Sequence, residues 1–191
     1  MTIPKIDNQI TEFMTPEQTE SLLKTLEEWP CRNTAAFVKF AFYTGLRRGE
    51  LFKLKWSDID LERGFITLRN PKGGKTITLP VSSEAIETLK SLSMSEEYVF
   101  PGKGGKQMED FKSPWNRIRK AAGLPEGFRF HGLRHNYASH LVSNGVGLEI
   151  VKELMTHKDM ITTQRYAHLL PGALKEAVDK SGRILKTKSS T

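Results

Sequence analysis

The chain has 191 residues, of which 38% are hydrophobic and 27% are charged, a composition that supports a packed core and excludes general disorder. Its apolar runs fall well short of the ~18 residues of a membrane span, and its one cysteine, Cys31, excludes an internal disulfide and a thiolate zinc cage, so we expect a soluble intracellular protein. The formal net charge is +7, and a basic surface attracts phosphate polymers such as nucleic acids.

Helical signals dominate the first third of the chain. Residues 1–12 lack periodicity and are expected to form a linker or lead-in. The run Thr15-Pro16-Glu17-Gln18 combines an N-cap, a proline at the first helical position and a capping-box partner, which predicts a helix that ends near Trp29-Pro30. Further signals predict a helix over 34–43 stopped by Gly45, a short helix over 48–51 and a turn over 56–58.

The middle of the chain changes to a strand pattern. Two short β-branched runs, 65–68 and 76–79, bracket the glycine-rich segment 70–75, which predicts an antiparallel hairpin. Helices are predicted beyond it at about 82–92, 113–122, 131–143, 147–155, 160–166 and 172–180. The predicted fold class is therefore mostly α with a small antiparallel β-sheet (α+β), in one domain over 13–180 with a basic flexible tail over 181–191.

The excess of basic residues and all the histidines lie after the first third of the chain. Residues 61–135 carry 13 basic and 8 acidic side chains, whereas residues 1–60 carry 8 and 9. All five histidines lie within residues 131–168, interleaved with arginines, a distribution typical of a site that handles anionic charge. The spacing of His131 and His135 can ligate zinc, but no glutamate follows the first histidine and no third ligand is evident, so no metal site is predicted.

Three segments, in this order, closely resemble the motif boxes of the tyrosine recombinases, the phage-type integrases. They are Thr44-Gly45-Leu46-Arg47-Arg48-Gly49-Glu50-Leu51, His131-Gly132-Leu133-Arg134-His135, and Thr156-His157 with Tyr166 nine residues later. The resemblance runs from about residue 13 to 180 and includes the hairpin lysine between the first two boxes. It implies the tyrosine recombinase catalytic-domain fold and a recombinase or integrase that cleaves and rejoins DNA through a 3′-phosphotyrosyl intermediate, with no cofactor, metal or ATP.

The chemistry and the resemblance together select candidate catalytic residues. Metal-free cleavage of a phosphodiester needs cations on the non-bridging oxygens, a nucleophile, and a proton donor for the leaving 5′-oxygen. The resemblance implies that Arg47 and Arg134 bind the phosphate and that Tyr166 attacks it. It also implies that His131 accepts or relays the tyrosine proton and that His157 donates a hydrogen bond to the phosphate. The other tyrosines, Tyr43, Tyr98 and Tyr137, are interpreted as buried structural residues.

The remaining candidate residues lie in the hairpin and in or beside the three motif segments. Lys72 is the expected general acid, and Lys75 is its rival because both lie in the same glycine-rich tip. Glu50 is expected to orient basic or histidine side chains. His135 and His168 are expected to be supporting residues, and Arg48 and Lys75 are candidate DNA-binding residues.

The resemblance also implies partners and leaves alternatives open. Double-stranded DNA, a homo-tetramer on DNA and accessory DNA-bending proteins are expected, in the cytoplasm of a bacterium or phage host and without a membrane. An N-terminal domain usually precedes the family's catalytic domain, so an excised domain or a shorter variant is expected. A non-catalytic DNA-binding relative and an enzyme that only relaxes supercoiled DNA are the competing functions.

Two features near the C-terminus complete the expectations. The family usually has glycine where this chain has Thr156, and a helical backbone there would tolerate the threonine. The segment after Tyr166 carries an apolar stripe that either packs on its own domain or, as the resemblance implies for residues 172–185, docks on a neighbouring protomer.

Overall fold

Helices form most of the regular secondary structure in the described chain, as the sequence predicts. The computed structural model describes residues 13–71, 74–157, 160–170, 172, 174–175, 177–179 and 181. The helices are α1 (Pro16–Glu27), α2 (Arg32–Thr44), α3 (Arg48–Leu51), α4 (Ser83–Lys90), α5 (Lys112–Ala121), α6 (Phe130–Ser143), α7 (Leu148–Leu154) and α8 (Met160–Gln164). The strands are β1 (Ile59–Asp60), β2 (Phe65–Leu68) and β3 (Ile77–Pro80), in one antiparallel sheet. The predicted fold class is confirmed.

Local sequence signals set the ends of the first two helices. The Thr15 hydroxyl accepts the Gln18 N–H at 3.2 Å, and the Gln18 side chain accepts the Thr15 N–H at 2.9 Å, which is the predicted capping box of α1. At the end of α2, Gly45 adopts a left-handed backbone with φ of 62°, the conformation that glycine adopts most easily at a helix C-terminus. Gly45 thereby turns the chain towards α3.

The sheet has one strand more than the sequence predicts. Strand β2 is central and pairs with both neighbours, so that Ile66 faces Ile59 on one side and Leu79 on the other. The sequence does not predict strand β1, because a run of two residues is too short to show an alternating pattern. The predicted β2–β3 hairpin is confirmed, although Lys72 and Gly73 at its tip lie outside the described residues.

An aromatic cluster around Phe37 ties α2 to the segments that carry the candidate site. The fully buried ring of Phe37 lies 5.7 Å from Phe52, 4.2 Å from Phe111 and 5.4 Å from Phe130, measured between ring centroids. Phe52 directly follows α3, Phe111 directly precedes α5, and Phe130 is the first residue of α6. Close packing of this kind fixes the backbone positions of three elements at once.

The chain divides into two compact units. The larger ends at Tyr137 and contains α1 to α5 and the sheet, and the smaller begins at Ala138 and contains α7 and α8. The boundary falls within α6. Across the described part of the chain, every helix is too short or too polar to cross a lipid bilayer.

Candidate active site

Gly45 joins the two candidate phosphate-binding arginines of the larger unit. The buried Arg134 donates a 2.7 Å hydrogen bond from Nη1 to the Gly45 carbonyl oxygen. Arg47 lies two residues after Gly45, so this bond brings both arginines to the same turn between α2 and α3. The Gly45 Cα also faces the Tyr137 ring, and a Cβ there would lie 2.9 Å from Tyr137 Cγ. Glycine is therefore required both for the turn and for the approach of α6.

Glu50 holds Arg47 at the start of α3. Its carboxylate accepts the Arg47 backbone N–H at 2.9 Å and Arg47 Nη1 at 3.0 Å. The Glu50 side chain is only 8% exposed, which shields this charge-assisted contact from water and strengthens it. The role expected of Glu50 stays a prediction, and this contact is the geometry that such a role requires. The neighbouring Arg48 is exposed, and its guanidinium carbon lies 5.8 Å from the centroid of the Phe52 ring.

Two clefts flank α3 within the larger unit. The first, of about 590 Å³, is lined by Arg47, Lys53 and Arg69 among others and extends to Asn70 and Pro71 at the root of the hairpin tip. The second, of about 500 Å³, is lined by Arg48, Lys112, Arg129 and His131 among others. Carboxylates also line both clefts, Glu50 and Asp58 in the first and Glu126 in the second, but cations outnumber them in each, and an excess of cations suits a polyanionic ligand.

The first cleft brings Arg47 and the hairpin root together. At the root, the buried Asp58 carboxylate accepts Nε of Arg69 at 2.5 Å and the Lys55 backbone N–H at 3.3 Å. This ion pair fastens the end of β2 just before the tip. Lys72 itself lies outside the described residues, and its rival Lys75 is exposed.

His131 and His135 lie at the start of α6. Their ring centroids are 4.6 Å apart in an edge-to-face arrangement, with His131 exposed and His135 buried. Gly132 between them packs on Phe128, where a Cβ would lie 2.8 Å from the end of the ring. Within the part of the chain that the structure describes, no three His, Cys, Asp or Glu side chains are placed to hold a metal ion.

The smaller unit carries the other two candidate catalytic residues. His157 follows α7, and its Nδ1 lies 2.9 Å from the hydroxyl of Thr163 on α8. Tyr166 follows α8, and its side chain is buried. His168 is exposed and donates from Nδ1 to the Arg165 carbonyl oxygen at 2.9 Å, so it is attached to its own turn.

The backbone at Thr156 is not helical, so the condition under which threonine would be tolerated there is not met. The φ of Thr156 is 49°, in the left-handed region that favours glycine. The Thr156 N–H donates to the Glu153 carbonyl and the His157 N–H donates to the Lys152 carbonyl, which is the Schellman pattern that ends a helix. Thr156 occupies the position of that pattern where glycine is commonest.

Burial disfavours ionisation of two of the competing tyrosines. Burial raises the pKa of Tyr137 above its usual value, because the phenolate is poorly solvated there. Burial also raises the pKa of Tyr43, with smaller contributions from the charges of Glu84 and Glu27. Both effects disfavour the phenolate. Tyr98 is half-buried, with Lys55 Nζ 5.4 Å from its ring centroid.

The structure thus gathers Arg47, Glu50 and Arg134 at one turn and places Arg48 and His131 in one cleft. Sequence reasoning missed Thr163, which contacts His157, and the Asp58–Arg69 pair beneath the hairpin. The Thr162-Thr163 pair is visible in the sequence, but no sequence signal indicates which threonine faces the histidine.

Comparison with known proteins identifies relatives over almost the whole chain. The model of the phage integrase family matches residues 12–172. The tyrosine recombinase XerA of Pyrococcus furiosus is 33% identical over 189 residues, which cover 95% of this chain and 65% of that protein. The chain thus spans slightly less than two thirds of this relative.

Two solved structures, of an integrase catalytic domain and of a recombinase, superpose on most of the chain. The catalytic domain of bacteriophage HP1 integrase superposes with a TM-score of 0.66 at 29% identity, over 87% of this chain and 93% of that domain. The crystal structure of XerA recombinase superposes with a TM-score of 0.72 at 26% identity, over 94% of this chain and 66% of that one.

Proposed function

Because the chain belongs to the phage integrase family, we propose that it is the catalytic part of a tyrosine recombinase that cleaves and rejoins double-stranded DNA in the cytoplasm. The observation that carries this proposal is the pair of arginines at the Gly45 turn, with Arg47 fixed by Glu50 and Arg134 fixed by the Gly45 carbonyl. A preorganised pair of guanidinium groups can stabilise the charge that develops on a phosphate in the transition state.

In the proposed first step, Tyr166 Oη attacks the scissile phosphorus and the bond from phosphorus to the 5′-oxygen breaks. The tyrosine proton passes to His131, and Lys72 gives a proton to the leaving 5′-oxygen. The products are a 3′-phosphotyrosyl bond and a free 5′-hydroxyl. Arg47 and Arg134 bind the non-bridging oxygens throughout, and His157 donates one further hydrogen bond.

In the proposed second step, the 5′-hydroxyl of a partner strand attacks the phosphotyrosyl phosphorus. The bond to Tyr166 breaks, and the proton that His131 accepted returns to the phenolate oxygen. The attacking hydroxyl loses its proton to Lys72. The number of phosphodiester bonds is unchanged over the two steps, so the exchange needs no external energy source.

Several exposed cations support a DNA-binding surface in the larger unit. Arg48 and Lys112 line the second cleft beside His131, and Lys75 is exposed near the hairpin tip. We assign these residues to contacts with the DNA backbone. Such contacts weaken steeply with salt and carry little sequence information.

The proposal can be tested with a suicide duplex, which is a nicked duplex whose cleavage releases a short fragment. Loss of the fragment traps the covalent intermediate. We expect a slowly migrating protein–DNA band on denaturing gels with the wild-type chain and no band with Tyr166→Phe. Tyr137→Phe is the matched control and should form the band. A band of equal intensity from Tyr166→Phe would refute the assignment of the nucleophile, and no band from any variant would favour a non-catalytic DNA-binding protein.

The same substrate separates the two candidate general acids. A 5′-sulfur in place of the leaving oxygen needs no proton, so it should rescue a variant that lacks the general acid. We expect this rescue for Lys72→Ala and not for Lys75→Ala. Rescue of Lys75→Ala alone would transfer the role to Lys75.

We further propose that the chain acts as a homo-tetramer on DNA, with DNA-bending proteins as accessories, and that residues 172–185 dock on a neighbouring protomer. Among the described residues of this segment, Leu174 and Val178 are 62% and 70% exposed and lie one helical turn apart. A chain truncated after Leu170 should cleave DNA but fail to form synaptic complexes. Normal strand exchange by the truncated chain would refute trans docking.

A further inference from the structure

The position of His157 is fixed by the way α7 ends. The two Schellman hydrogen bonds, from Thr156 to Glu153 at 2.9 Å and from His157 to Lys152 at 3.0 Å, hold the backbone of His157 against the last turn of α7. Backbone geometry alone does not fix the imidazole, however, because the ring can still rotate about its own side-chain bonds.

Thr163 contacts the imidazole ring directly. Its side chain is completely buried, and its hydroxyl lies 2.9 Å from His157 Nδ1. A buried hydroxyl requires a hydrogen-bonding partner, so this contact stabilises both residues. It fixes the ring plane and makes the two imidazole nitrogens different from one another.

We propose that Thr163 is a positioning residue that sets the tautomer of His157. A hydroxyl can donate or accept, and for the role proposed for His157 it donates to Nδ1, so that in the neutral imidazole the proton is on Nε2. A protonated Nε2 is a hydrogen-bond donor, which is what a phosphate oxygen requires. The reverse tautomer would present a lone pair to the phosphate and repel it. This inference rests on the role proposed for His157, but the tautomer can be measured without DNA.

The experiment is a long-range ¹H–¹⁵N NMR spectrum of the full chain with ¹⁵N-labelled histidines, at a pH where His157 is neutral. His157→Gln assigns the signals among the five histidines. We expect the wild-type chain to show a protonated Nε2 and an unprotonated, hydrogen-bonded Nδ1. A wild-type spectrum with the proton on Nδ1 overturns the proposal, and this result needs no variant.

Three variants separate positioning from stability. Thr163→Val keeps the shape and removes the hydroxyl, Thr163→Ser keeps the hydroxyl, and Thr162→Val is the control one position away on α8. We expect Thr163→Val to shift the His157 Nδ1 signal and to slow covalent capture of the suicide duplex about tenfold, roughly the value of one hydrogen bond. Thr163→Ser should restore both, and Thr162→Val should change neither.

The outcomes are distinguishable from failure of the proposed function. If the wild-type chain captures DNA but Thr163→Val leaves the ring signals or the cleavage rate unchanged, Thr163 does not position His157. An equal effect of Thr162→Val also overturns the proposal. If no variant captures DNA, the proposed function fails, while the NMR spectra still report whether Thr163 sets the tautomer.

Discussion

Replacement of Gly45 by alanine should damage both stability and activity, for reasons that can be separated. The left-handed φ of 62° costs a non-glycine residue about 1–2 kcal/mol. The new methyl would also lie 2.9 Å from Cγ and 3.2 Å from Cβ of Tyr137. Because these atoms are the base of the ring side chain, relief requires movement of α6 and should cost a further ~1–3 kcal/mol.

Gly123→Ala is the matched control. Gly123 has a φ of 65°, and a Cβ there would meet no atom within 4 Å. Both variants share the backbone cost and the effect of alanine on the unfolded chain. The difference between them therefore isolates the contact with Tyr137, and we expect Gly45→Ala to be less stable than Gly123→Ala by about 1–3 kcal/mol.

Urea unfolding followed by tryptophan fluorescence measures the stability of both variants, and covalent capture of the suicide duplex measures activity under conditions where both are folded. Gly45→Ala should lose activity beyond its loss of folded protein, because displacement of α6 moves Arg134 away from the Gly45 carbonyl. Gly123→Ala should cleave normally. Equal stability of the two variants, or normal cleavage by Gly45→Ala, would refute the reasoning.

Three further substitutions probe other parts of the account. Phe37→Ala should cost about 3–5 kcal/mol in urea unfolding because it empties the centre of the aromatic cluster, and a loss below ~1 kcal/mol would contradict that role. Thr156→Gly should raise the unfolding free energy by about 0.5–1 kcal/mol, since relief of the left-handed strain exceeds the entropy cost of glycine, and a lower stability would be the opposite result. Glu50→Gln should slow single-turnover cleavage about tenfold, because an amide has no charge and one acceptor oxygen and cannot keep both contacts to Arg47, and an unchanged rate would show that Glu50 does not position Arg47.

Much of the fold follows from local signals in the sequence. The capping box at Thr15 and the glycine after α2 act within a few residues, so the sequence alone predicts both helix ends. Strand β1 exists because β2 pairs with it, and a two-residue strand has no pattern of its own. The left-handed backbone at Thr156 lies directly after the end of α7. The helix propensities of the residues there do not indicate this conformation.

The candidate site was predictable where it lies in the motif boxes and not where it depends on contacts across the fold. Glu50 and Arg47 are three residues apart on a helix start, so their contact follows from spacing. The Asp58–Arg69 pair spans eleven residues and depends on how the sheet folds back. The Thr163–His157 contact depends on how α8 lies beside the end of α7, and either threonine of the pair was possible from the sequence.

The most direct test of the central claim is to find the residue that becomes joined to DNA. After covalent capture, nuclease digestion and trypsin should leave nucleotide on the peptide from Tyr166 to Lys175, which contains one tyrosine and no serine or threonine. We expect Tyr166 to carry a 3′-linked phosphate and the released DNA strand to have a free 5′-hydroxyl. Nucleotide on a different peptide, or a 5′-phosphate linkage, would contradict it.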